Sequence, residues 1–200
     1  TALFGIIVFG LRNYLNKKEV VVLPVKFFEP ERFWDGVKLS SFQAKQDKIF
    51  AGLVPHHLLA GKLISNIFQS LENQGVKKII LIGPNHYELG PSSLQSNFTN
   101  WQTELGQVEG ADLLPYLPES PEEVIVNEHS IAGLMPYVSY YFPKAKVFSV
   151  IIKHNAPQEE LEALSKKIVE VWNRNTVLIA SVDFSHYLPL PVAQSRDEYT

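Results

Sequence analysis

The chain has 200 residues, 46% of them apolar and 20% charged, with a net charge of −3. That is enough polypeptide for one α/β domain with a full core, and the slightly acidic balance gives no basis for a nucleic-acid partner. The absence of cysteine excludes disulfides, thiolate nucleophiles and cysteine-based zinc sites within these residues, so any metal must be held by His, Asp, Glu or water.

An apolar stretch, Ala2–Leu11, comes first, followed by Arg12, Lys17 and Lys18. It is shorter than the about 20 residues that a helix needs to cross a hydrocarbon core. Residues 1–19 read either as part of a truncated membrane anchor or as a buried N-terminal helix, strand or signal remnant. In the first case residues 1–11 would contact a membrane, and the basic flank would favour a cytoplasmic location for the rest. Val20–Val25 is a β-branched run that predicts a strand, and the mixed, polar Glu29–Gln46 reads as a linker or irregular lead-in. Residues 20–48 thus precede a main domain at 49–200. Ile49–Val54 predicts a buried strand. Over Leu58–Gln74, residues Leu59, Leu63, Ile64, Ile67 and Leu71 recur at helical spacing, and Gly75 supplies a C′ stop. Lys78–Ile82 is a short buried strand.

Glu88–Pro121 holds Gly90, Pro91, Gly106 and Gly110, and predicts a long excursion with a β-ribbon around Phe98–Val108. Asn127 is read as the N-cap of a helix from Glu128 to about Tyr141, kinked or split at Pro136. Lys146–Ile152 is a strand. Pro157–Asn173 is an amphipathic helix with Pro157 near N1 and acids in its first turns. Thr176–Val182 is the next strand, and Ser195–Thr200 reads as the start of a helix without a C-cap signal. Strands alternating with helices predict the α/β class: a single domain with a mainly parallel sheet flanked by helices.

The candidate chemistry lies just past three of these strands. Ile49–Val54 leads to Pro55-His56-His57, Lys78–Ile82 to Gly83-Pro84-Asn85-His86, and Thr176–Val182 to Asp183-Phe184-Ser185-His186. In an open α/β sheet, ligands bind outside the carboxyl ends of the strands, so His56, His86 and His186 are expected to converge on one rim. Adjacent residues on extended backbone face opposite ways, so only one of His56 and His57 can face a shared site. The plain alternative for this pair is a loop histidine capping the helix near Leu58. Glu128-His129-Ser130 opens a helix and brings His129 as a further pocket candidate. Asp183 and His186, three residues apart, can orient each other or share a metal; the plain alternative is a helix N-cap by Asp183 or Ser185. A Ser–His–Asp hydrolase lacks its G-x-S-x-G elbow here. His154 sits in an ordinary loop.

These motifs carry a resemblance. Val54-Pro55-His56-His57, Leu81-Ile82-Gly83-Pro84-Asn85-His86, Glu128-His129-Ser130-Ile131, Leu134-Met135-Pro136-Tyr137 and Ser181-Val182-Asp183-Phe184-Ser185-His186-Tyr187 occur in the order seen in Memo-like proteins. Within them the chain resembles the bacterial and archaeal branch called AmmeMemoRadiSam system protein B. The resemblance spans roughly Ile49 to Thr200. It implies a fold like the class III, non-haem-iron extradiol dioxygenases and a mononuclear metal pocket, iron or copper with zinc as a further candidate. In that pocket His56 and His86 are two ligands, His186 serves acid–base chemistry or supports a ligand from behind with Asp183 beside it, and His129 is a further pocket residue. The third ligand, a Cys in Memo and a Glu in the dioxygenases, is implied to come from beyond Thr200. The implied activity is redox or oxygenase-like chemistry on a small substrate. The alternatives are a non-catalytic module acting with a radical SAM or AMMECR-type partner or binding an anionic peptide, and metal-assisted hydrolysis.

Overall fold

Two apolar, largely β-branched runs, Lys78–Pro84 and Lys146–Ile152, form the centre of the molecule, because such residues fit a sheet covered on both faces. The computed structural model describes residues 21–41 and 47–198. The strands in chain order are β1 Val22–Pro24, β2 Ala51–Val54, β3 Lys78–Pro84, β4 Leu94–Asn97, β5 Asn100–Thr103, β6 Gly106–Gly110, β7 Lys146–Ile152 and β8 Thr176–Ser181. The helices are α1 Pro30–Leu39, α2 Gly61–Leu71, α3 Glu122–Asn127, α4 His129–Ala132, α5 Met135–Tyr141, α6 Gln158–Val171 and α7 Leu190–Asp197, with a 3-10 turn at Leu58–Ala60 ahead of α2.

One eight-stranded sheet runs in the order β1-β5-β6-β7-β3-β8-β2. The pairs β1/β5, β6/β7, β7/β3, β3/β8 and β8/β2 are parallel. The ribbon β5/β6 is antiparallel, and β4 runs antiparallel along β7 from Ser149 to Ile152, beyond the two residues that β6 occupies. Alternation along β3 sends Ile79 and Leu81 to one face and Ile80 to the other. The first face packs on Phe33 of α1, Ile64 and Phe68 of α2, Ile131 of α4 and Tyr137 of α5. The second packs on Leu164 and Ile168 of α6. The domain is therefore mixed α/β with a mostly parallel sheet between helices, as the alternation predicts.

Several elements differ from the sequence expectation. Glu29–Gln46 is not a plain linker, because Pro30–Leu39 forms α1 with Pro at its first turn and Phe33 and Gly36 buried. Its inward face is only two residues deep, which is why composition hid it. The expected helix at Leu58–Gln74 begins as a 3-10 turn and closes at Leu71. The segment from Glu128 is split, and further than Pro136 alone requires: Asn127 ends α3, Glu128 caps α4, and Pro136 lies in the first turn of α5. Asp183 caps no helix, since the next helix is α7 and Pro189 stands at its N-cap. The apolar stretch Ala2–Leu11 lies outside the described residues. Among the described residues no helix is long and apolar enough to cross a membrane.

Candidate metal centre

Because β3, β8 and β2 are adjacent and parallel, their carboxyl ends bring three loops to one rim. From β2, Pro55 leads to His56, whose ring is buried, while His57 turns outward and its Nδ1 accepts from the N–H of Leu59 at 3.3 Å. His57 is therefore the capping histidine and His56 the inward one. From β3, the Gly-Pro-Asn turn delivers His86. Gly83 is required there: a Cβ on it would lie 2.5 Å from the Ser130 hydroxyl oxygen. The buried Asn85 holds the loop behind His86, its side-chain N–H donating to the Leu89 carbonyl at 2.7 Å.

The α3–α4 junction supplies the third imidazole and the main carboxylate. Glu128 is 1% exposed. Its Oε1 accepts from His86 Nδ1 at 2.7 Å and from the Ser130 N–H at 3.0 Å, and its Oε2 from the His86 N–H at 2.8 Å. The rings of His86 and His129 stack with centroids 4.2 Å apart, and His56 stands edge-on to both, at 5.0 and 5.1 Å. One ligand atom from each of His56, His86 and His129 lies within 4.8 Å of the others. That is slightly wider than the about 3–4 Å of two nitrogens on one metal with bonds near 2.1 Å. From the far side, Phe27 leans on His129 with centroids 5.9 Å apart.

Asp183, just past β8, accepts from the His56 N–H through Oδ1 at 3.1 Å. Its Oδ2 is 3.3 Å from His56 Nε2, but not aligned as a hydrogen bond, and Nε2 has no hydrogen-bond partner. His56 Nδ1 lies 2.9 Å from the Ser181 hydroxyl.

The charge states follow from these contacts. Burial pushes the His56 pKa down to about 4; Asp183 opposes this, while His86 and His129 add to it. The hydrogen bond to Glu128 raises His86 above its usual value, over the opposing effect of burial. Burial would raise Glu128, but hydrogen bonds from His86 and from the N–H groups of Ser130 and His86 hold it below the usual carboxylate range. His129 is lowered, by burial first and by His86 second. Two of the three rings are thus held toward the neutral form in which imidazole ligates metals. The third donates Nδ1–H to a carboxylate, the arrangement that orients metal-binding histidines.

The family described as Memo-like protein matches residues 32–199. The chain belongs to the Memo-like family. The match starts upstream of Ile49, where the motif resemblance begins, and takes in most of α1. Curated relatives include a MEMO1 family protein of Pyrobaculum aerophilum, 27% identical over 159 residues, covering 74% of this chain and 57% of the relative. One from Saccharolobus solfataricus is 29% identical over 175 residues, covering 80% and 61%. One from Thermococcus onnurineus is 31% identical over 158 residues, covering 71% and 54%. The chain thus spans little more than half the length of these relatives.

The site unites His56 and His86 as the Memo-like motifs imply, but the third member of the cluster is His129 rather than His186. The resemblance implies a third ligand from beyond Thr200; within the described residues His129 is the third imidazole of the cluster. His186 is exposed, its Nδ1 bonded to the Phe184 carbonyl at 2.8 Å. It lines an open cavity of about 410 Å3 together with Pro55, His57, Leu59, Asp183 and Tyr187. Asp183 therefore borders both that cavity and the three-histidine cluster, and its hydrogen bond and close ring contact are with His56, not with His186. Sequence reasoning missed Glu128 as the buried anchor of His86, treating it only as an acid at a helix start. The signal was present in its place beside His129, but nothing local shows that the carboxylate turns inward. His154 pairs with Glu88 at 3.1 Å, well exposed, and stays outside the cluster.

Proposed function

We propose that this Memo-like protein holds one first-row transition metal between His56, His86 and His129. We further propose that it uses the metal for redox or oxygenase-like chemistry on a small molecule entering from the cavity at Asp183 and His186. The observation that carries the reading is His56 Nε2, a buried ring nitrogen without a hydrogen-bond partner, 3.3 Å from an Asp183 oxygen and on a ring that clusters with two other imidazoles. A buried polar atom left unpaired costs about 1–3 kcal/mol, and a cation at that point would remove the cost. The donor set fits: imidazole suits iron, copper and zinc. Bound iron or copper would supply electron transfer and an open coordination position. Glu128 would hold His86 in its ligating orientation, and Asp183 would fix the His56 backbone. His186, exposed on the cavity, is placed to exchange a proton with the bound molecule.

A serine hydrolase is disfavoured by a specific contact. Ser181, His56 and Asp183 do form a line. However, Ser181 is 1% exposed and its one hydroxyl hydrogen goes to the Ser130 carbonyl at 2.6 Å. It offers no nucleophile to a substrate.

The test is elemental analysis of the purified, untagged protein and calorimetric titration with Fe(II) and Cu(II), alongside His86→Ala. One metal per chain is expected in the wild type, and none above background in the variant. Oxygen uptake with catechol-type substrates then separates turnover from a binding module. Metal without uptake would favour the module, and no metal at all would refute the reading.

A further inference from the structure

We infer that Ser181 is a positioning residue that locks the tautomer of His56, keeping its ring proton on Nδ1 and leaving Nε2 as a bare lone pair. The inference concerns the ring proton alone, but its use rests on the metal reading above.

The argument is a count of hydrogens. A serine hydroxyl has one hydrogen and two lone pairs. The Ser130 carbonyl can only accept, so the 2.6 Å contact uses the Ser181 hydrogen. The 2.9 Å contact between Ser181 Oγ and His56 Nδ1 must then run the other way, with Nδ1–H donating. A neutral imidazole has no second N–H, which leaves Nε2 as a lone pair.

Asp183 competes for the opposite tautomer, because its Oδ2 would accept from an Nε2–H. A hydrogen bond to a carboxylate is about twice as strong as a neutral one when well made. Here it is not well made: 3.3 Å is past the usual 2.7–3.2 Å range, and the approach is misaligned. The Ser181 relay is well made at both links: 2.9 Å lies inside that range for the N–H donor, and 2.6 Å inside the about 2.5–3.0 Å range of an O–H donor. Adopting the other tautomer would break a buried hydrogen bond or set two lone pairs against each other, and Ser181 and His56 are 1% and 2% exposed. The relay wins on geometry.

The relay also has a rigid anchor. The N–H of Ser130 is bonded to Glu128 Oε1, the same oxygen that takes the proton of His86 Nδ1. The Ser130 hydroxyl donates to the Pro84 carbonyl at 2.9 Å, tying this turn to the strand that delivers His86. One turn, Glu128–Ser130, thereby fixes the ring proton on both histidines and leaves Nε2 of each as the ligating atom.

The test is long-range 1H–15N correlation spectroscopy on metal-free protein labelled with 15N-histidine, at a pH where His56 is neutral, with His56→Gln assigning the ring. The wild type is expected to show His56 as Nδ1–H. In Ser181→Ala the ring should move toward Nε2–H, and affinity for Zn(II) should fall about 10–100-fold. Ser181→Thr, which keeps the hydroxyl, should retain the wild-type tautomer. A wild-type ring protonated on Nε2 would overturn the lock, whether or not any variant folds. So would a folded Ser181→Ala that keeps Nδ1–H. A wild type with Nδ1–H that binds no Zn(II) would support the lock while refuting the metal reading.

Discussion

Acidification should destabilise the metal-free protein through His56. Its pKa is about 4 in the fold, because burial disfavours the imidazolium, against about 6.5 in an unfolded chain. Between those values the unfolded state binds the extra proton. The stabilising effect of keeping the ring neutral is therefore complete above pH 6.5 and is lost as pH falls toward 4. For one group with these two constants, linkage gives a loss of about 2 kcal/mol between pH 7 and pH 5, with a ceiling of about 3 kcal/mol. His129, also lowered, acts in the same direction. His86 acts against it: its folded pKa is raised, so its contribution is full below the unfolded value and fades as pH rises through the folded one. Glu128 matters only below the ordinary carboxylate range. The measurement is denaturant unfolding in chelator at pH 7, 6 and 5, for the wild type and for His56→Gln, whose amide does not titrate. The wild type should lose about 2 kcal/mol more than the variant across that window. Parallel pH profiles, or a wild type that gains on the variant as pH falls, would show that His56 is not held neutral by burial.

Two substitutions test the frame around this ring. In Gly83→Ala the new Cβ would meet the Ser130 hydroxyl at 2.5 Å and its Cβ at 3.0 Å. Ser130 must shift and its bond to Pro84 must lengthen, so denaturant titration should show a loss of about 1–3 kcal/mol, and a change below about 0.5 kcal/mol would mean that the turn yields. In Asp183→Asn the amide can keep the bond to the His56 N–H and offer its own N–H to the unpaired Nε2. Metal-free stability should hold or rise while Fe(II) affinity in calorimetry falls at least about tenfold, and unchanged affinity would remove Asp183 from the site.

The sheet was legible because burial on both faces leaves a continuous apolar signature. The runs at Lys78–Ile82, Lys146–Ile152 and Thr176–Val182 became β3, β7 and β8, the second unchanged and the others shifted by two residues and one at their C-terminal ends. What stayed hidden had weak or divided patterning. α1 buries only Phe33 and Gly36, too few positions to establish a helical period. The stretch from Glu122 to Tyr141 presents no single apolar face, since α4 and α5 are buried nearly all round and half of α3 is buried as well. Its breaks are set by side-chain bonds from Glu128 rather than by a change of period.

The site divides along the same physical line. A histidine at the end of a buried strand can be placed from sequence, because strand direction and sheet order dictate where the next residues emerge; that is why His56 and His86 meet. Glu128 and His129 are the cap and first residue of the four-residue helix α4, whose placement depends on the Ser130 bond to Pro84 and the close approach at Gly83. No local rule supplies those contacts. Ser181 is harder still. As the last residue of a buried strand it reads as one more small side chain, and its part emerges only when the direction of each hydrogen bond around it is counted. His186 shows the converse error. It follows its strand as the other two do, but the turn that carries it leaves Tyr187 at φ 57° and the imidazole on the surface, bonded to its own loop. Strand-end position therefore predicts the rim on which a side chain emerges. The backbone path of the following three residues decides whether it turns toward the cluster or away from it.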